Sequence, residues 1–218
     1  MLMFYIQDNW ETEIEGDIII EYCKTNNINF EILSKEDILE LEYDENTPII
    51  GDRDIISKIL NDKTDTYDDI FKGLYGNIKT KTTFSYIRDP RNKIRFPIFI
   101  KPVTTKLFNG MILEKADLWN FEEMEIYISD ILNLENEKRV LITKDKQIYS
   151  NGDIDETIKI KILERVTKYH VIDIAYCTNI GEWIIVENNP LFSIGLNDIN
   201  EEDYISFIIN SWKNIKLE

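Results

Sequence analysis

The segment from residue 170 to residue 190 constrains the fold most strongly, because it contains two β-prone runs joined by a short polar turn. The stretch reads HVIDIAYCTNIGEWIIVENNP, and Gly181 lies in the polar turn between the two runs. Two such runs around a glycine-containing turn predict an antiparallel β-hairpin. This part of the chain is therefore expected to form two paired strands of a sheet.

The expected pairing brings two carboxylates side by side. A hairpin centred on Ile180 places Asp173 opposite Glu187 and Val171 opposite Asn189. Opposed residues have Cβ atoms about 4.5 to 5.5 Å apart, and like charges so placed destabilise a sheet. A divalent cation would relieve the repulsion, since Mg²⁺ is commonly held by one or two carboxylates together with phosphate oxygens and waters. Asn189 would add an amide oxygen on the same face.

In this register Trp183 and Ile185 share the face of the two carboxylates. Two interpretations remain open. The carboxylates are either metal ligands or solvated residues on the open side of a hairpin, and a register shift of one residue would place them on opposite faces.

The first sixty residues alternate between strand-like and helix-like patterns. Short apolar runs at residues 3–6, 28–33 and 48–50 are separated by segments in which apolar residues recur at helical spacing. This alternation predicts a small Rossmann-like lobe. The lobe lacks the GxGxxG phosphate loop, so it is not expected to bind a dinucleotide by itself.

The pattern weakens between residues 61 and 96, where we expect the connection between two lobes. Later strands and helices are predicted at residues 96–101, 139–143, 147–149, 158–169 and 200–212. The chain is thus expected to be a mixed protein of the α/β or α+β class.

Charge restricts the classes of partner. The 218 residues include 25 basic and 41 acidic side chains, giving a net charge of −16. Such a chain repels nucleic acid and anionic membranes on average, although a small basic pocket for phosphate remains possible.

Cys23 and Cys177 are too far apart for a recognisable zinc motif. Neither a secretory signal nor an apolar run of membrane-spanning length is evident, so a cytoplasmic protein is expected.

Basic and acidic residues of the central region form a second candidate group. Lys101 and Lys106 flank a short loop in FIKPVTTKLFNG, where both could reach phosphate oxygens. Glu137 and Arg139 have equal strand parity and would point into the same site. The alternative interpretation is that these are solvated lysines and an ordinary surface ion pair.

Taken in order, these segments resemble the ATP-grasp superfamily, and specifically its small RimK-related group, formerly a domain of unknown function. The typical patterns of that group, FvKPxxxxKxFxG, vSEPVxIxxEwR and vvDvaxtxdGwxviExNp, have their counterparts here in FIKPVTTKLFNG, ISDILNLENEKR and VIDIAYCTNIGEWIIVENNP. The resemblance implies an ATP-grasp domain at residues 76–218 that binds nucleotide and metal, preceded by a pre-ATP-grasp lobe at residues 1–75.

The resemblance also assigns nucleotide contacts. It implies that Lys101 and Lys106 contact the phosphates, with a catalytic role for Lys106, and that Asp130 and Ile131 form the hinge against adenine. Two departures concern this region. Asp130 and Ile131 stand where Glu-Pro is usual, and Lys138 replaces an aromatic residue.

The remaining assignments concern the metal and the phosphoryl group. The resemblance implies that Asp173, Glu187 and Asn189 hold Mg²⁺. It implies that Glu137 contributes to the phosphate side of the nucleotide site and that Arg139 is catalytic.

The function implied is an ATP-dependent carboxylate–amine ligase that works through an acylphosphate and takes small-molecule or peptide substrates. A catalytically silent nucleotide-binding or interaction module with an acidic surface is the main alternative. An acidic decoy of nucleic acid is disfavoured, because the acidic residues are scattered among isoleucine-rich core positions. The oligomeric state cannot be inferred from the sequence.

Overall fold

The computed structural model describes residues 2–8, 13–42, 46–61, 64–76, 78–104, 107–116, 121–192 and 194–215. For residues 13, 78 and 79 only the backbone is described. The strands in these ranges form three sheets, one parallel and two antiparallel. None of the helices in the same ranges is long and apolar enough to cross a membrane.

The first sheet lies at the amino end of the chain and is parallel. Its strands are β1 (Met3–Gln7), β2 (Asn29–Leu33) and β3 (Ile49–Ile50), in the order β2-β1-β3. The helices that connect and follow these strands are α1 (Glu13–Asn26), α2 (Lys35–Leu39) and α3 (Arg53–Leu60). The predicted Rossmann-like alternation is confirmed, with element limits shifted by a few residues.

The second sheet is antiparallel and has the order β4-β7-β5-β6. Its strands are β4 (Ile78–Thr83), β5 (Ile98–Pro102), β6 (Met111–Leu113) and β7 (Glu125–Ser129). Helix α4 (Phe84–Arg88) follows β4 directly. The stretch between residues 61 and 96, where the connection between the lobes is expected, thus contributes a strand and a helix.

The third sheet is also antiparallel and has the order β11-β10-β8-β9. Its strands are β8 (Leu134–Ile142), β9 (Ile148–Ser150), β10 (His170–Cys177) and β11 (Glu182–Asn189). Helix α5 (Glu156–Leu163) precedes β10, and helix α6 (Glu201–Trp212) follows the sheet. Helix α5 ends earlier than predicted, whereas α6 lies at the predicted position.

The hairpin of β10 and β11 has the expected register at the end that contains Asp173 and Glu187. Asp173 pairs with Glu187, and Val171 pairs with Asn189. The register then shifts by one residue after Asp173, so that Trp183 lies opposite Tyr176. This β-bulge breaks the regular alternation of side chains. The expectation that Trp183 and Ile185 share a regular face with the two carboxylates is therefore corrected.

Residues 64–76 form a segment without regular strand structure that is hydrogen-bonded to both the second and the third sheet. We call this segment the strap. Thr66 donates its backbone N–H to the Val103 carbonyl at 2.9 Å and accepts the backbone N–H of Asn188 at 2.9 Å. Near the end of the strap, the Leu74 carbonyl accepts the backbone N–H of Ile185 at 2.9 Å. These bonds hold the strap across the two sheets.

The largest buried cluster connects the first sheet with the third. It includes Phe4 of β1, Leu141 of β8, Val171 of β10 and Phe207 of α6, each at most 1% exposed. Burial of this apolar surface stabilises the arrangement of both sheets and α6. The amino-terminal lobe and the third sheet therefore share one core.

Candidate functional site

A cavity of about 340 Å³ lies where the second sheet, the third sheet and the strap meet. One part of its wall is apolar and consists of Phe99, Ile112, Leu132, Leu134 and Ile184. A mostly apolar cavity with a few converging polar groups is the usual form of a small-molecule site. The apolar part can bind an apolar group, and the polar part can bind a charged one.

The segment between β7 and β8 forms one edge of the cavity. Ser129, Asp130 and Ile131 all line it. The Ser129 hydroxyl donates to the Asp130 carbonyl at 3.0 Å, which shapes the backbone where the chain leaves β7. The two residues predicted as a hinge thus lie beside the apolar wall.

An ion pair between the two sheets closes the polar part of the cavity. Lys101 of β5 donates from Nζ to Oε2 of Glu187 in β11 at 2.6 Å. The two side chains are only 13% and 22% exposed. Strand alternation explains why Lys101 points inward here, since its neighbours on β5 are buried on the opposite face.

A second ion pair lies next to the first. Arg139 of β8 donates from Nε to Oδ1 and from Nη2 to Oδ2 of Asp173, both at 2.8 Å. Burial alone would raise the pKa of Asp173, but the hydrogen bonds and charge of Arg139 outweigh it and lower that pKa. For Arg139, burial acts to lower the pKa, and the bonds to Asp173 raise it instead. Both groups are therefore charged at neutral pH.

Asn189 extends this second pair. Its Nδ2 donates to Oδ2 of Asp173 at 2.9 Å. Its Oδ1 is buried and has no hydrogen-bond partner within the described ranges. A buried unpaired oxygen is costly unless something else binds it. A cation bound at this position would satisfy it.

Glu137 lies at the exposed rim of the same cavity. Partial burial, followed by the negative charges of Asp173 and Glu187, raises the pKa of Glu137. Three carboxylates are therefore near one another, and two of them are paired with basic side chains.

The oxygen donors of Asp173, Glu187 and Asn189 fit a hard divalent cation. Among the residues that the structure describes, no group of three or more His, Cys, Asp or Glu side chains could hold a metal ion. A metal at this site would accordingly need the amide oxygen of Asn189 and ligands from outside the protein, as Mg²⁺ in phosphate complexes usually does.

The predicted site residues mostly converge. Five of them line the cavity: Lys101, Asp130, Ile131, Glu137 and Glu187. Arg139, Asp173 and Asn189 form the adjoining hydrogen-bonded group. Lys106 lies outside the described residues.

The strap contributes aromatic residues that sequence reasoning did not identify. Tyr67 lines the cavity and packs edge-on against Tyr127 of β7 and Tyr75, at ring distances of 4.7 and 4.8 Å. The Tyr127 hydroxyl donates to both carboxylate oxygens of Asp65 at 2.9 and 3.0 Å. Burial raises the pKa of Tyr67 and of Tyr127, so both remain neutral. The repeated aromatics in an otherwise polar stretch, Tyr67, Phe71 and Tyr75, were the available signal.

Comparison with protein families gives one match. Residues 78–207, more than half of the chain, match the ATP-grasp domain of the R-two-K clade, family 2. The matched stretch contains both antiparallel sheets and the residues that line the cavity, except Tyr67 and Gly76 of the strap. A search of curated proteins found no match.

Solved structures share the fold at low sequence identity. A RiPP-associated ATP-grasp ligase from Chryseobacterium gregarium, in complex with ADP and a leader and core peptide, is 11% identical with a TM-score of 0.54, and the match covers 99% of this chain and 98% of that one. The RimK domain protein ATP-grasp from Sphaerobacter thermophilus is 10% identical with a TM-score of 0.54, and the match covers 100% of both chains. N5-carboxyaminoimidazole ribonucleotide synthetase from Thermotoga maritima is 14% identical with a TM-score of 0.56, and the match covers 100% of this chain and 77% of that one.

Proposed function

Because the chain belongs to family 2 of the R-two-K clade of ATP-grasp domains, we propose that it is an ATP-dependent ligase that joins a carboxylate to an amine. The observation that carries the proposal is the cavity, in which an apolar slot leads to Lys101, Glu137 and Glu187. Such a slot suits an adenine ring, and the charged end suits a polyphosphate with its metal.

The nucleotide contacts in this proposal follow the geometry of the cavity. Asp130 and Ile131 lie at its edge and would act as the hinge against adenine. Lys101 would neutralise phosphate oxygens, and Glu137 would contribute from the rim. Lys106 is proposed as a further phosphate and catalytic residue on the resemblance of its motif alone.

Asp173, Glu187 and Asn189 would hold Mg²⁺, for which the unpaired Oδ1 of Asn189 is the supporting observation. When bound, Mg²⁺ supplies neutralisation of charge on the phosphates of the nucleotide. Arg139 is proposed as catalytic, because its guanidinium group can stabilise the charge of the transferring phosphoryl group once it is released from Asp173.

The proposed reaction has two steps. An oxygen of the substrate carboxylate attacks the γ-phosphorus of ATP, the bond to the bridging oxygen breaks, and ADP leaves. The nitrogen of the amine then attacks the acyl carbon of the acylphosphate, inorganic phosphate leaves with the electrons of the broken C–O bond, and the nitrogen loses one proton. The protein positions the reactants and stabilises charge, and no covalent enzyme intermediate is needed.

Small-molecule or peptide carboxylates and amines are the proposed substrates. A peptide is supported by the fold shared with the Chryseobacterium gregarium ligase, whose structure contains a leader and core peptide. We further propose that residues 1–75 form a pre-ATP-grasp lobe and residues 76–218 the ATP-grasp domain, and that the protein is cytoplasmic.

Titration calorimetry with AMPPNP and MgCl₂ tests nucleotide binding, and ADP release across a panel of amino acids and peptides tests ligation. We expect saturable binding that requires the metal and ADP release that requires a carboxylate and an amine. Absence of AMPPNP binding would contradict the proposal. Binding of ATP without turnover across the panel would instead favour the catalytically silent module.

A further inference from the structure

We propose that Lys101 and Arg139 keep the cation site closed in the free protein, so that a divalent cation binds with or after nucleotide and not alone. This inference rests on the proposed function and concerns the regulation of the same site. It follows from the two ion pairs in which the candidate metal ligands Glu187 and Asp173 already take part.

The first partner is Lys101. Its ammonium group lies 2.6 Å from Oε2 of Glu187, and both side chains are mostly buried. Charge-assisted hydrogen bonds of this length are among the strongest in proteins, and restricted contact with water preserves their strength. A cation that binds Glu187 must therefore displace Lys101 or share the carboxylate with it.

The second partner is Arg139, which contacts both oxygens of Asp173 at 2.8 Å. Asn189 donates to one of these oxygens as well, so the carboxylate accepts three hydrogen bonds. Only Oδ1 of Asn189 remains buried and unpaired in the described part of this group. This neutral oxygen binds a hydrated divalent cation only weakly while Arg139 occupies the adjoining carboxylate.

The two ion pairs neutralise Glu187 and Asp173 without a metal. Lys101 and Arg139 contribute two positive charges against the two negative charges of these carboxylates, and Glu137 at the rim is the third carboxylate of the group. A divalent cation alone would have to compete with Lys101 and Arg139 for Glu187 and Asp173, and it would be repelled by both basic side chains. The free protein is therefore expected to have little affinity for it.

Nucleotide phosphates change this balance. Lys101 lines the cavity, so its ammonium group can exchange the Glu187 carboxylate for a phosphate oxygen after a small movement. The exchange frees Glu187 and supplies phosphate oxygens, which Mg²⁺ binds readily. Lys101 thus acts as a positioning residue that links nucleotide binding to assembly of the metal site.

The wild-type protein gives the first test. Binding of Mn²⁺ alone is followed by electron paramagnetic resonance of the free ion, and binding of AMPPNP is followed by calorimetry with EDTA and with MnCl₂. We expect no saturation by Mn²⁺ alone, weak binding of metal-free AMPPNP and tighter binding with both. Saturation of the free protein by Mn²⁺, with an affinity like that in the presence of AMPPNP, would overturn the inference.

Two variants test the exchange itself. Lys101→Met should increase the affinity for Mn²⁺ alone by about tenfold or more, because Glu187 loses its partner. Glu187→Gln should tighten metal-free AMPPNP binding, because Lys101 no longer has a competing carboxylate, and should remove the gain from MnCl₂. Lys81→Met, which breaks an exposed pair with Glu125 in the second sheet, is the matched control and should change neither affinity.

The outcomes separate this inference from the proposed function. If AMPPNP does not bind in any condition, the proposed function fails, while the response of Lys101→Met to Mn²⁺ still decides whether Lys101 closes the site. If AMPPNP binds but Lys101→Met leaves the Mn²⁺ affinity unchanged, or Glu187→Gln weakens metal-free binding, only the inference fails. Should Lys101→Met not fold, Glu187→Gln and the wild-type titrations give the same decision.

Discussion

At the scale of single residues, ionic partners determine how the site tolerates substitution. Strand pairing alone indicates that two opposed carboxylates repel each other and that neutralising them preserves the fold. The structure gives Asp173 and Glu187 buried cationic partners instead, Arg139 and Lys101. Removing one partner of a buried ion pair leaves an uncompensated charge, which is strongly destabilising.

The first prediction concerns the pair of Asp173 and Arg139. Asp173→Asn should lower the free energy of unfolding by about 3 to 5 kcal/mol, because it leaves the guanidinium group buried without a counter-charge. Urea denaturation at neutral pH measures the change. The double variant Asp173→Asn, Arg139→Gln should recover part of the loss, and Lys159→Gln, which breaks an exposed pair with Glu156, should cost no more than about 1 kcal/mol. Equal losses in Asp173→Asn and the double variant would contradict this account.

The second prediction concerns His170, the only histidine. It is 2% exposed and packs edge-on against Phe71 at a ring distance of 5.0 Å. Burial lowers its pKa from 6.5 to about 4. The unfolded chain therefore binds a proton more strongly than the folded one, and stability is lost as the pH falls from about 6.5 towards 4.

The measurement is the unfolding free energy in urea at pH 7 and pH 4.5. His170 should account for about 2 to 3 kcal/mol of the decrease between these values. His170→Phe keeps an aromatic ring and removes the titrating group, so its decrease should be smaller by that amount. An identical decrease in the wild type and His170→Phe would show that the histidine is not the cause.

At the scale of elements, the sequence was informative where patterns are local. The hairpin register at Asp173 and Glu187 followed from the position of the turn, and α6 followed from helical spacing. Strand β4 was missed because its sequence, IKTKTT, alternates lysine and threonine and has little apolar signal. It lies at the edge of the second sheet, where a strand needs only one neighbour. The bulge after Asp173 was also missed, because no local pattern specifies it.

At the candidate site, too, the sequence predicts only what depends on local patterns. The sequence placed Asp173 and Glu187 together because they oppose each other across one hairpin. The contact between Lys101 and Glu187 joins residues of different sheets, 86 positions apart, and depends on how those sheets pack. The role of the strap depends on the same packing, so Tyr67 could not be assigned to the cavity from its sequence position.

The third prediction concerns the strap at Gly76, which lines the cavity. A Cβ atom there would lie 2.8 Å from Cδ1 of Leu132 and 2.9 Å from Cδ1 of Ile184. Both atoms are ends of flexible side chains of the apolar wall, so they would move into the cavity while the backbone keeps its course. Gly76→Ala should weaken AMPPNP binding about tenfold in calorimetry, with a melting temperature within a few degrees of the wild type. Unchanged affinity would show that nucleotide does not occupy this part of the cavity.

At the scale of the whole molecule, the shared core makes the lobes interdependent. Phe4 and Ile6 of the first sheet belong to the same buried cluster as Val171 of β10 and Phe207 of α6. A domain that lacks the first sheet would expose this apolar surface to water. The −16 charge then favours solubility of the intact chain, while the candidate site retains its own cationic residues, Lys101 in the cavity and Arg139 beside it.

The fourth prediction follows from this shared core. A chain shortened to residues 76–218 should not unfold cooperatively, because it loses the first sheet and most of the strap together. Chemical-shift dispersion in a proton–nitrogen correlation spectrum and thermal melting by circular dichroism provide the measurement. A dispersed spectrum with a cooperative transition would show that the carboxyl-terminal part folds independently.

A crystal structure of the protein grown with AMPPNP and MnCl₂, analysed by anomalous scattering from manganese, tests the nucleotide and metal sites together. We expect an adenine ring in the apolar slot beside Ile131 and an anomalous peak bound by the side-chain oxygens of Asp173, Glu187 and Asn189, with Lys101 moved from Glu187 to a phosphate. Nucleotide outside the cavity, or manganese without contact to these three side chains, would contradict the proposal.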